Sequence, residues 1–282
     1  MLTDSKVTIV IPTFNRADRV SNAIKSALQQ TVKCRVVVVD HGSSDNTPTI
    51  MQKFGSEITY IRNEDDFGPI YSWIDGVVRA NTEFVKILFD DDVLAPTFVA
   101  ESLSLMGPDT AFVASNARVV DLDSGKTIIE SLFGGFRKPG VFRCSGLKGA
   151  WVSKLMISPS ALLLRRSDLL DGLYLGSLPL QTSKHHGAGP DHFVKLLAMT
   201  RYSNFGLISE SLVDFGAHSG SITIQASGDR GQRENLHSVY TDVWIYYLQL
   251  RLLKFLRIPF RITAWFVATL ERLILRMIRL GK

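Results

Sequence analysis

With 282 residues, 45% of them hydrophobic and 21% charged, the chain has the composition of an ordinary globular protein and the length of one large α/β domain or two small ones. Its two cysteines, Cys34 and Cys144, exclude a disulfide framework and favour a reducing cytoplasm. The net charge of +5 is concentrated after residue 235, and the lack of any run of 18 uncharged apolar residues argues against a membrane-spanning helix.

The first ninety residues alternate between short apolar runs and segments with helical spacing. Strands are predicted at Val7–Ile11, Arg35–Val39, Ile58–Ile61 and Glu83–Phe89. Helices are predicted between them, at Asn15–Gln30, Thr47–Phe54 and Gly68–Ala80. This alternation predicts an α/β fold, with a mixed, mostly parallel sheet flanked by helices.

Polar clusters follow three of these strands, at Thr13–Asn15, Asp40–Asp45 and Asp90–Asp92. Ligands of parallel α/β sheets bind beyond the carboxyl ends of the strands, so we expect the three clusters to share one rim. Three adjacent carboxylates repel one another unless a cation compensates their charge, and hard oxygen ligands suit Mg²⁺ or Mn²⁺ bound to phosphate. A solvated acidic turn is the alternative, but such a turn needs no buried strand before it. The sequence therefore favours a cation site at Asp90–Asp92 that binds a phosphate-bearing ligand.

The second half of the chain is less regular. Phe112–Ile129 predicts a hairpin with its turn at Asp123–Lys126, and Ser158–Leu164 predicts a further strand. Pro190–Ala198 predicts a helix with Asp191 in its first turn. The glycine-rich, basic stretch Gly134–Gly149 predicts a mobile loop.

Residues 236–282 contain eight Lys and Arg residues against Asp242 and Glu271. Ile262–Leu280 has helical spacing with three arginines on one stripe, and Pro259 separates it from the helical segment Tyr240–Leu256. A basic amphipathic helix of this kind predicts contact with a membrane surface through residues 240–282. Packing against the rest of the chain or a partner subunit would hide the same apolar faces. The cations alternate with large aliphatic residues instead of forming an exposed basic surface, so we expect no nucleic-acid partner.

Four segments, taken in order and spacing, resemble the inverting family 2 glycosyltransferases of the GT-A fold. They are Val7–Asn15, Val39–Thr47, Gly68–Pro69 before a helix, and Lys86–Pro96. The resemblance covers roughly residues 5–225. It implies a GT-A-type, Rossmann-like domain with a nucleotide-sugar-binding half at 1–110, an acceptor-binding half at 111–225 and a helical tail at 226–282.

The resemblance also implies roles for individual residues. Contact with the donor nucleotide is implied for Pro12, Thr13, Asn15, Asp40, His41, Ser43 and Asp90. Asp91, Asp92 and His218 resemble the ligands of Mn²⁺ or Mg²⁺, and Asp191 resembles the catalytic base. Position alone is equally compatible with structural roles: Asp191 could be an ordinary helix N-terminal aspartate stabilised by the helix dipole, and His218 a surface or core residue. His41 stands where many users of UDP-sugars have a second aspartate, which leaves a dTDP-sugar open.

These features predict a metal-dependent inverting glycosyltransferase. It would move a sugar from a UDP- or dTDP-linked donor to a glycan or lipid-linked glycan acceptor in cell-surface polysaccharide synthesis. We expect a cytoplasmic protein, peripheral on the inner face of the plasma membrane. The alternative is a non-catalytic module that binds nucleotide-sugars or glycans on the same fold.

Overall fold

The computed structural model describes residues 5–179, 181, 187–218 and 230–255, and every structural statement below refers to these residues. Its strands are β1 (Val7–Thr13), β2 (Arg35–Asp40), β3 (Thr59–Arg62), β4 (Phe84–Ile87), β5 (Val93–Leu94), β6 (Thr110–Asp121), β7 (Thr127–Ile129), β8 (Gly140–Arg143), β9 (Leu162–Arg165) and β10 (Asn204–Ala217). Its helices are α1 (Val20–Leu28), α2 (Thr47–Gln52), α3 (Pro69–Arg79), α4 (Phe98–Leu105), α5 (Leu147–Lys154), α6 (Arg166–Gly172), α7 (Pro190–Arg201) and α8 (Arg230–Phe255).

The strands form one sheet in the order β3-β2-β1-β4-β9-β6-β10-β5, with β7 paired to β6 and β8 paired to β10. The four strands β3, β2, β1 and β4 are parallel, as is the long ladder between β6 and β10. The short β9 runs antiparallel to both β4 and β6 and so joins the two parallel groups. The predicted architecture, a mostly parallel sheet flanked by helices, is confirmed.

The first half of the sheet forms where the apolar runs predicted it. All seven residues of β1 are buried, and helix α3 packs on β1 and β2. Gly76 allows this close packing, because a Cβ at that position would collide with Val10 of β1. The strand does not end at Pro12: the ladder to β2 continues through Pro12 and Thr13, which places both residues at the carboxyl rim.

The second half differs from the sequence prediction in two places. The 14-residue strand β10 was not predicted, although it pairs with β5, β6 and β8. The predicted loop at Gly134–Gly149 instead contains β8 and the start of α5. The predicted hairpin is confirmed by the antiparallel pairing of β6 with β7.

Helix α8 begins at Arg230, ten residues before the predicted segment, and it packs against α7. Its packed face contains the buried residues Val239, Val243 and Tyr247. None of the helices within the described ranges is long and apolar enough to cross a bilayer. The predicted helix Ile262–Leu280 and the Pro259 break lie outside the described residues.

Candidate active site

Asp40 ends β2 and is fully buried. Its Oδ1 accepts a hydrogen bond from the Ser43 amide at 2.8 Å, and its Oδ2 accepts one from the Tyr60 hydroxyl at 2.7 Å. Gly42, at φ +93°, makes the tight turn between Asp40 and Ser43 possible. Asp40 therefore fixes the loop that follows β2.

The loop after β1 is hydrogen-bonded to the loop after β2. Asn15, at φ 53°, donates its amide to Ser43 Oγ at 2.9 Å, and the His41 amide donates to the Thr13 carbonyl at 3.1 Å. The His41 ring stacks on Phe14 with ring centroids 4.8 Å apart. These contacts bring together the residues predicted to bind the donor nucleotide: Pro12, Thr13, Asn15, Asp40, His41 and Ser43. Asn15–Arg19 belong to this loop, so α1 begins at Val20 and not at Asn15.

The acidic triplet Asp90–Asp92 follows β4 and faces the same loop. Asp90 Oδ1 lies 3.9 Å from the Arg16 Nε. Burial, and next the charge on Asp91, raise the pKa of Asp90 to about 7. The loops after β1, β2 and β4 thus meet at one rim, as the positions of the polar clusters predicted.

Asp91 and His218 are 127 residues apart in the sequence but lie close together in the structure. Asp91 Oδ2 lies 3.0 Å from Nε2 of the buried His218, which follows β10. Two ligands on adjacent corners of an octahedral ion with bonds of about 2.1 Å would lie about 3 Å apart, so this spacing fits Mg²⁺ or Mn²⁺. The assignment of these residues to a metal stays a prediction. In the described part of the chain, no group of three or more His, Cys, Asp or Glu residues is arranged to hold an ion.

Asp92 is turned towards the interior of the protein. Its Oδ1 accepts a hydrogen bond from the Gly216 amide at 3.1 Å, and the residue is 4% exposed. Burial, and next the charge on Asp91, raise the pKa of Asp92 well above its usual value. In this orientation Asp92 ties the triplet to β10, and its role as a metal ligand also stays a prediction.

Lys86 in β4 is fully buried and does not extend to solvent. Its Nζ donates to the carbonyls of Pro159 and Ser160 and lies 4.2 Å from the centre of the Phe98 ring. Ser160 Oγ in turn accepts a hydrogen bond from the Phe89 amide at 3.0 Å. Lys86 therefore holds the Pro159–Ala161 turn against the end of β4, immediately before the acidic triplet. Burial lowers the pKa of Lys86, and the charge on Asp92 opposes that effect only in part.

Asp191 lies in the first turn of α7, where both of its carboxylate oxygens accept hydrogen bonds. Oδ1 accepts from the Gly189 amide at 2.8 Å, and Oδ2 accepts from the Tyr240 hydroxyl of α8 at 2.7 Å. Burial raises the pKa of Asp191, and the hydrogen bond from Tyr240 is the largest opposing influence.

A cavity of about 200 Å³ lies between the start of α3 and the loop before Asp191, lined by residues 67–70, 174–176, 187, 188 and 190. The α3 side of this cavity is linked to the pocket predicted for the nucleotide. Asp66 Oδ1 accepts a hydrogen bond from the Gly68 amide at 2.7 Å and also lies 2.7 Å from His41 Nδ1. The segment before Asp191 therefore borders the same side of the sheet as the loop after β2.

Four residues with a part in this arrangement were not predicted: Tyr60, Asp66, Ser160 and Tyr240. Each contacts a predicted site residue or its support from a distant position in the sequence. Tyr60 and Tyr240 have the residue type of ordinary core positions, and nothing in their local pattern distinguishes them. Asp66 carried a weak signal, because it stands two residues before the Gly68–Pro69 helix start.

Comparison with known proteins identifies the family and the fold. The model of the family "Glycosyl transferase family 2" matches residues 8–170. The GalNAc(5)-diNAcBac-PP-undecaprenol beta-1,3-glucosyltransferase of Campylobacter jejuni is 37% identical over 94 residues, which cover 32% of this chain and 30% of that protein. The succinoglycan biosynthesis protein ExoU of Rhizobium meliloti is 27% identical over 124 residues, which cover 43% and 36%. The matched segments thus span about a third of the length of these relatives.

Solved structures resemble the chain over more of its length. The crystal structure of S. aureus TarS 1–349 in complex with UDP-GlcNAc superimposes with a TM-score of 0.62 at 17% identity, covering 77% of this chain and 60% of that one. At this identity the likeness concerns the fold, which is of the GT-A type in both. Since the family model matches more than half of the sequence, and the motifs on which the resemblance rested fall within it, the chain belongs to glycosyl transferase family 2.

Proposed function

We propose that the chain is a metal-dependent inverting glycosyltransferase that transfers a sugar from a nucleotide-sugar to a glycan or lipid-linked glycan in cell-surface polysaccharide synthesis. The observation that supports this most directly is that the loops after β1, β2 and β4 meet at one rim, with His218 beside the last of them. The Asp40–Ser43 loop, the acidic triplet and His218 come from separate strands, and Asp191 follows a segment that borders the same side of the sheet.

Asp91 and His218 are the residues that we assign first to the metal. They offer the oxygen and imidazole donors that Mn²⁺ or Mg²⁺ accepts, at a spacing that suits one ion. When bound, the ion supplies positive charge beside the diphosphate, which carries negative charge as it leaves the sugar. Asp90, next to Asp91 in sequence, lies 3.9 Å from Arg16 in the loop after β1, and we assign it to the donor.

Asp191 is the group that we assign to the acceptor. A hydroxyl is a weak nucleophile until a positioned base takes its proton, and a carboxylate with a raised pKa is a stronger base than an exposed aspartate. One base and one direct displacement invert the anomeric carbon. The acceptor oxygen would bond to the anomeric carbon as the bond from that carbon to the diphosphate breaks, and the hydroxyl proton would pass to an oxygen of Asp191.

The donor that we propose is a UDP- or dTDP-sugar. TarS has been solved with UDP-GlcNAc and with UDP, which favours the uridine nucleotide for a chain of the same fold. His41 offers one hydrogen bond at the base edge where a carboxylate would offer two acceptors, so the thymidine nucleotide belongs in the same test.

The first experiment is a thermal-shift screen of UDP-, dTDP- and GDP-sugars with and without Mn²⁺, because a ligand that binds the native state raises its melting temperature. The sugar nucleotide with the largest shift then serves as substrate, with water as the acceptor and nucleoside diphosphate release as the readout. We expect Asp191→Asn to lower this rate by about 10²–10⁴-fold and to keep the thermal shift from the donor.

The matched control is Asp171→Asn, which removes an exposed carboxylate that pairs with Arg201 of α7. It should leave both readouts unchanged. An Asp191→Asn protein that releases nucleoside diphosphate at the rate of the unaltered protein would reject Asp191 as the base. If a bound sugar nucleotide is cleaved neither with water nor with glycan acceptors, the non-catalytic binding module is the correct alternative.

We also propose that residues 240–282 contact an anionic membrane surface, which would place the enzyme on the inner face of the plasma membrane. Part of this segment is described, and α8 exposes the apolar residues Ile245, Leu248, Leu252 and Phe255 away from its packed face. The C. jejuni relative is named for an undecaprenol-linked glycan, an acceptor of the kind that would be met at a membrane.

A further inference from the structure

We infer that Tyr240 is a positioning residue for Asp191, and that helix α8 is in consequence a part of the active site. The inference rests on the proposed function, in which Asp191 is the base. It concerns a residue that lies 70 positions beyond the end of the region matched by the family model.

Two elements of the fold each donate a hydrogen bond to the Asp191 carboxylate. The Gly189 amide, just before α7, donates to Oδ1. The Tyr240 hydroxyl of α8, 49 residues after Asp191, donates to Oδ2. Two bonds from two different elements fix the rotation of the carboxylate. An ionised carboxylate has about four lone-pair sites. Gly189, Tyr240 and the His192 amide use three of them, which leaves one for an incoming hydroxyl.

The position of the Tyr240 hydroxyl is itself fixed by packing. The Tyr240 ring meets the His192 ring edge-on, with centroids 5.6 Å apart. The neighbouring Val239 and Val243 are buried beside Gly189, where a Cβ would lie 3.3 Å from Val239 and only 2.8 Å from the Tyr174 hydroxyl. Farther along α8, Trp244 Nε1 donates to Ser153 Oγ at 3.3 Å. A helix held at these points places the hydroxyl where Asp191 needs a donor.

Of the side chains near Asp191, Tyr240 is the one whose loss we expect to change the pKa of Asp191 most. Within the described ranges, Tyr174, Lys195 and Tyr240 interact electrostatically with Asp191, and the His192 ring packs on Tyr240. Burial lowers the pKa of His192 well below its usual value and lowers the pKa of Lys195 to about 7, so neither is a strong cation at neutral pH. Burial raises the pKa of Tyr240, so its hydroxyl keeps the proton that it donates. In the described part of the chain, Tyr240 is the side chain that donates a hydrogen bond to this carboxylate.

The test is Tyr240→Phe, which removes the hydroxyl and keeps the ring. Tyr247→Phe is the matched control, because Tyr247 is a buried tyrosine of the same helix whose hydroxyl accepts from Arg251 at 3.2 Å. The readout is the ¹³C carboxyl titration of aspartate-labelled protein, with the Asp191 signal identified by its absence in Asp191→Asn. A hydrogen bond to an ionised group contributes about 1.5–3 kcal/mol, so we expect Tyr240→Phe to raise the pKa of Asp191 by about one to two units.

The second readout is the pH dependence of nucleoside diphosphate release. Asp191 acts as a base only when ionised, so the acid limb of the rate profile should move to higher pH by the same amount in Tyr240→Phe. Tyr247→Phe should leave both the titration and the rate profile in place. A Tyr240→Phe protein with a lower melting temperature but an unmoved Asp191 titration would overturn the inference, because Tyr240 would then serve the fold alone.

The two proposals fail in different ways. If Asp191→Asn keeps full turnover, the proposed base is wrong, and the titration still reports whether Tyr240 holds the carboxylate. If Asp191→Asn is inactive and Tyr240→Phe titrates like the unaltered protein, the proposed function stands and the positioning role falls.

Discussion

The acidic triplet lowers the stability of the fold at neutral pH, and Asp90 illustrates this. It is an aspartate beside another aspartate and largely removed from water, and its pKa of about 7 lies above the usual value of about 3.9 for an aspartate in an unfolded chain. A carboxyl whose pKa is raised by folding stabilises the native state fully only below its unfolded pKa. That stabilisation is lost as the pH rises towards the folded pKa.

We therefore predict that Asp90→Asn raises the melting temperature in metal-free buffer at neutral pH. The gain over the unaltered protein should be small near pH 4, grow between pH 4 and pH 7, and stay constant above that, because the variant has no carboxyl to ionise. Thermal unfolding in EDTA across this range measures it. Asp18→Asn, at an exposed carboxylate, is the control and should show no such trend. A gain that does not change with pH would contradict the prediction.

The sequence predicted which residues gather at the rim better than it predicted how each is oriented. Asp40, Asn15 and Asp90 were identifiable because the carboxyl ends of neighbouring parallel strands must meet. The inward turn of Asp92 was not, because it depends on an amide of β10, 124 residues away. Tyr240 was hidden for the same reason: its partner is set by the packing of α8 on α7, and local patterns do not encode that packing.

At the scale of elements, β10 leads to His218 and is the longest strand that the sequence did not reveal. Register shifts between Asn204 and Val213 interrupt the alternation of side chains on which strand prediction depends. The run also contains serine, glutamate and glycine among its apolar residues. Among the strands of the first half, β1, β2 and β4 are mostly apolar runs with few polar residues, such as Thr8 and Lys86, which is why they were predicted.

Gly216 is the point at which β10 touches the acidic triplet. Its amide donates to Asp92, and a Cβ at this position would collide with the Asp91 carbonyl and lie 2.8 Å from Leu122. We predict that Gly216→Ala destabilises the protein by about 1–3 kcal/mol, since the crowded backbone has to move. The same movement should draw His218 away from Asp91 and reduce the thermal shift caused by Mn²⁺ with a sugar nucleotide.

Gly134→Ala is the matched control, because a Cβ at Gly134 meets open space. Urea unfolding of the two variants compares their stability directly, and Gly134→Ala should stay within about 0.5 kcal/mol of the unaltered protein. A Gly216→Ala protein with unchanged stability and an unchanged Mn²⁺-dependent thermal shift would contradict the prediction. The close approach of β10 to the triplet would then be needed neither for stability nor for metal binding.

At the scale of the whole molecule, the region matched by the family model covers only part of the proposed site. The matched region ends at residue 170, so it contains the loops predicted for the nucleotide but not Asp191, His218 or Tyr240. The residues assigned to the acceptor thus come from α7 and α8, and one residue assigned to the metal follows β10. Prediction from sequence was more accurate in the first half, because local apolar runs determine that half and long-range packing determines the second.

The basic tail is the part of the molecule that we expect to contact a membrane. The exposed apolar residues of α8 and the basic residues that follow would each add to binding, and a cation near an anionic leaflet contributes about 1 kcal/mol. We predict that the protein binds vesicles containing phosphatidylserine and that replacing three tail arginines with glutamine weakens this binding about 100-fold. The variant combines Arg272→Gln, Arg276→Gln and Arg279→Gln. Cosedimentation with vesicles at a fixed salt concentration measures the loss, and neutral vesicles should show little binding of either protein.

The control removes the same number of charges from exposed positions in the first half of the chain, by Lys25→Gln, Lys33→Gln and Lys53→Gln. Equal loss in both triple variants would mean that net charge alone, and not the tail, attracts the protein to the vesicles. No binding by the unaltered protein would instead favour a tail whose apolar faces pack against the rest of the chain or a partner subunit. A lower particle mass after removal of residues 256–282 would then point to the partner subunit, because an intersubunit contact through the tail would be lost with it.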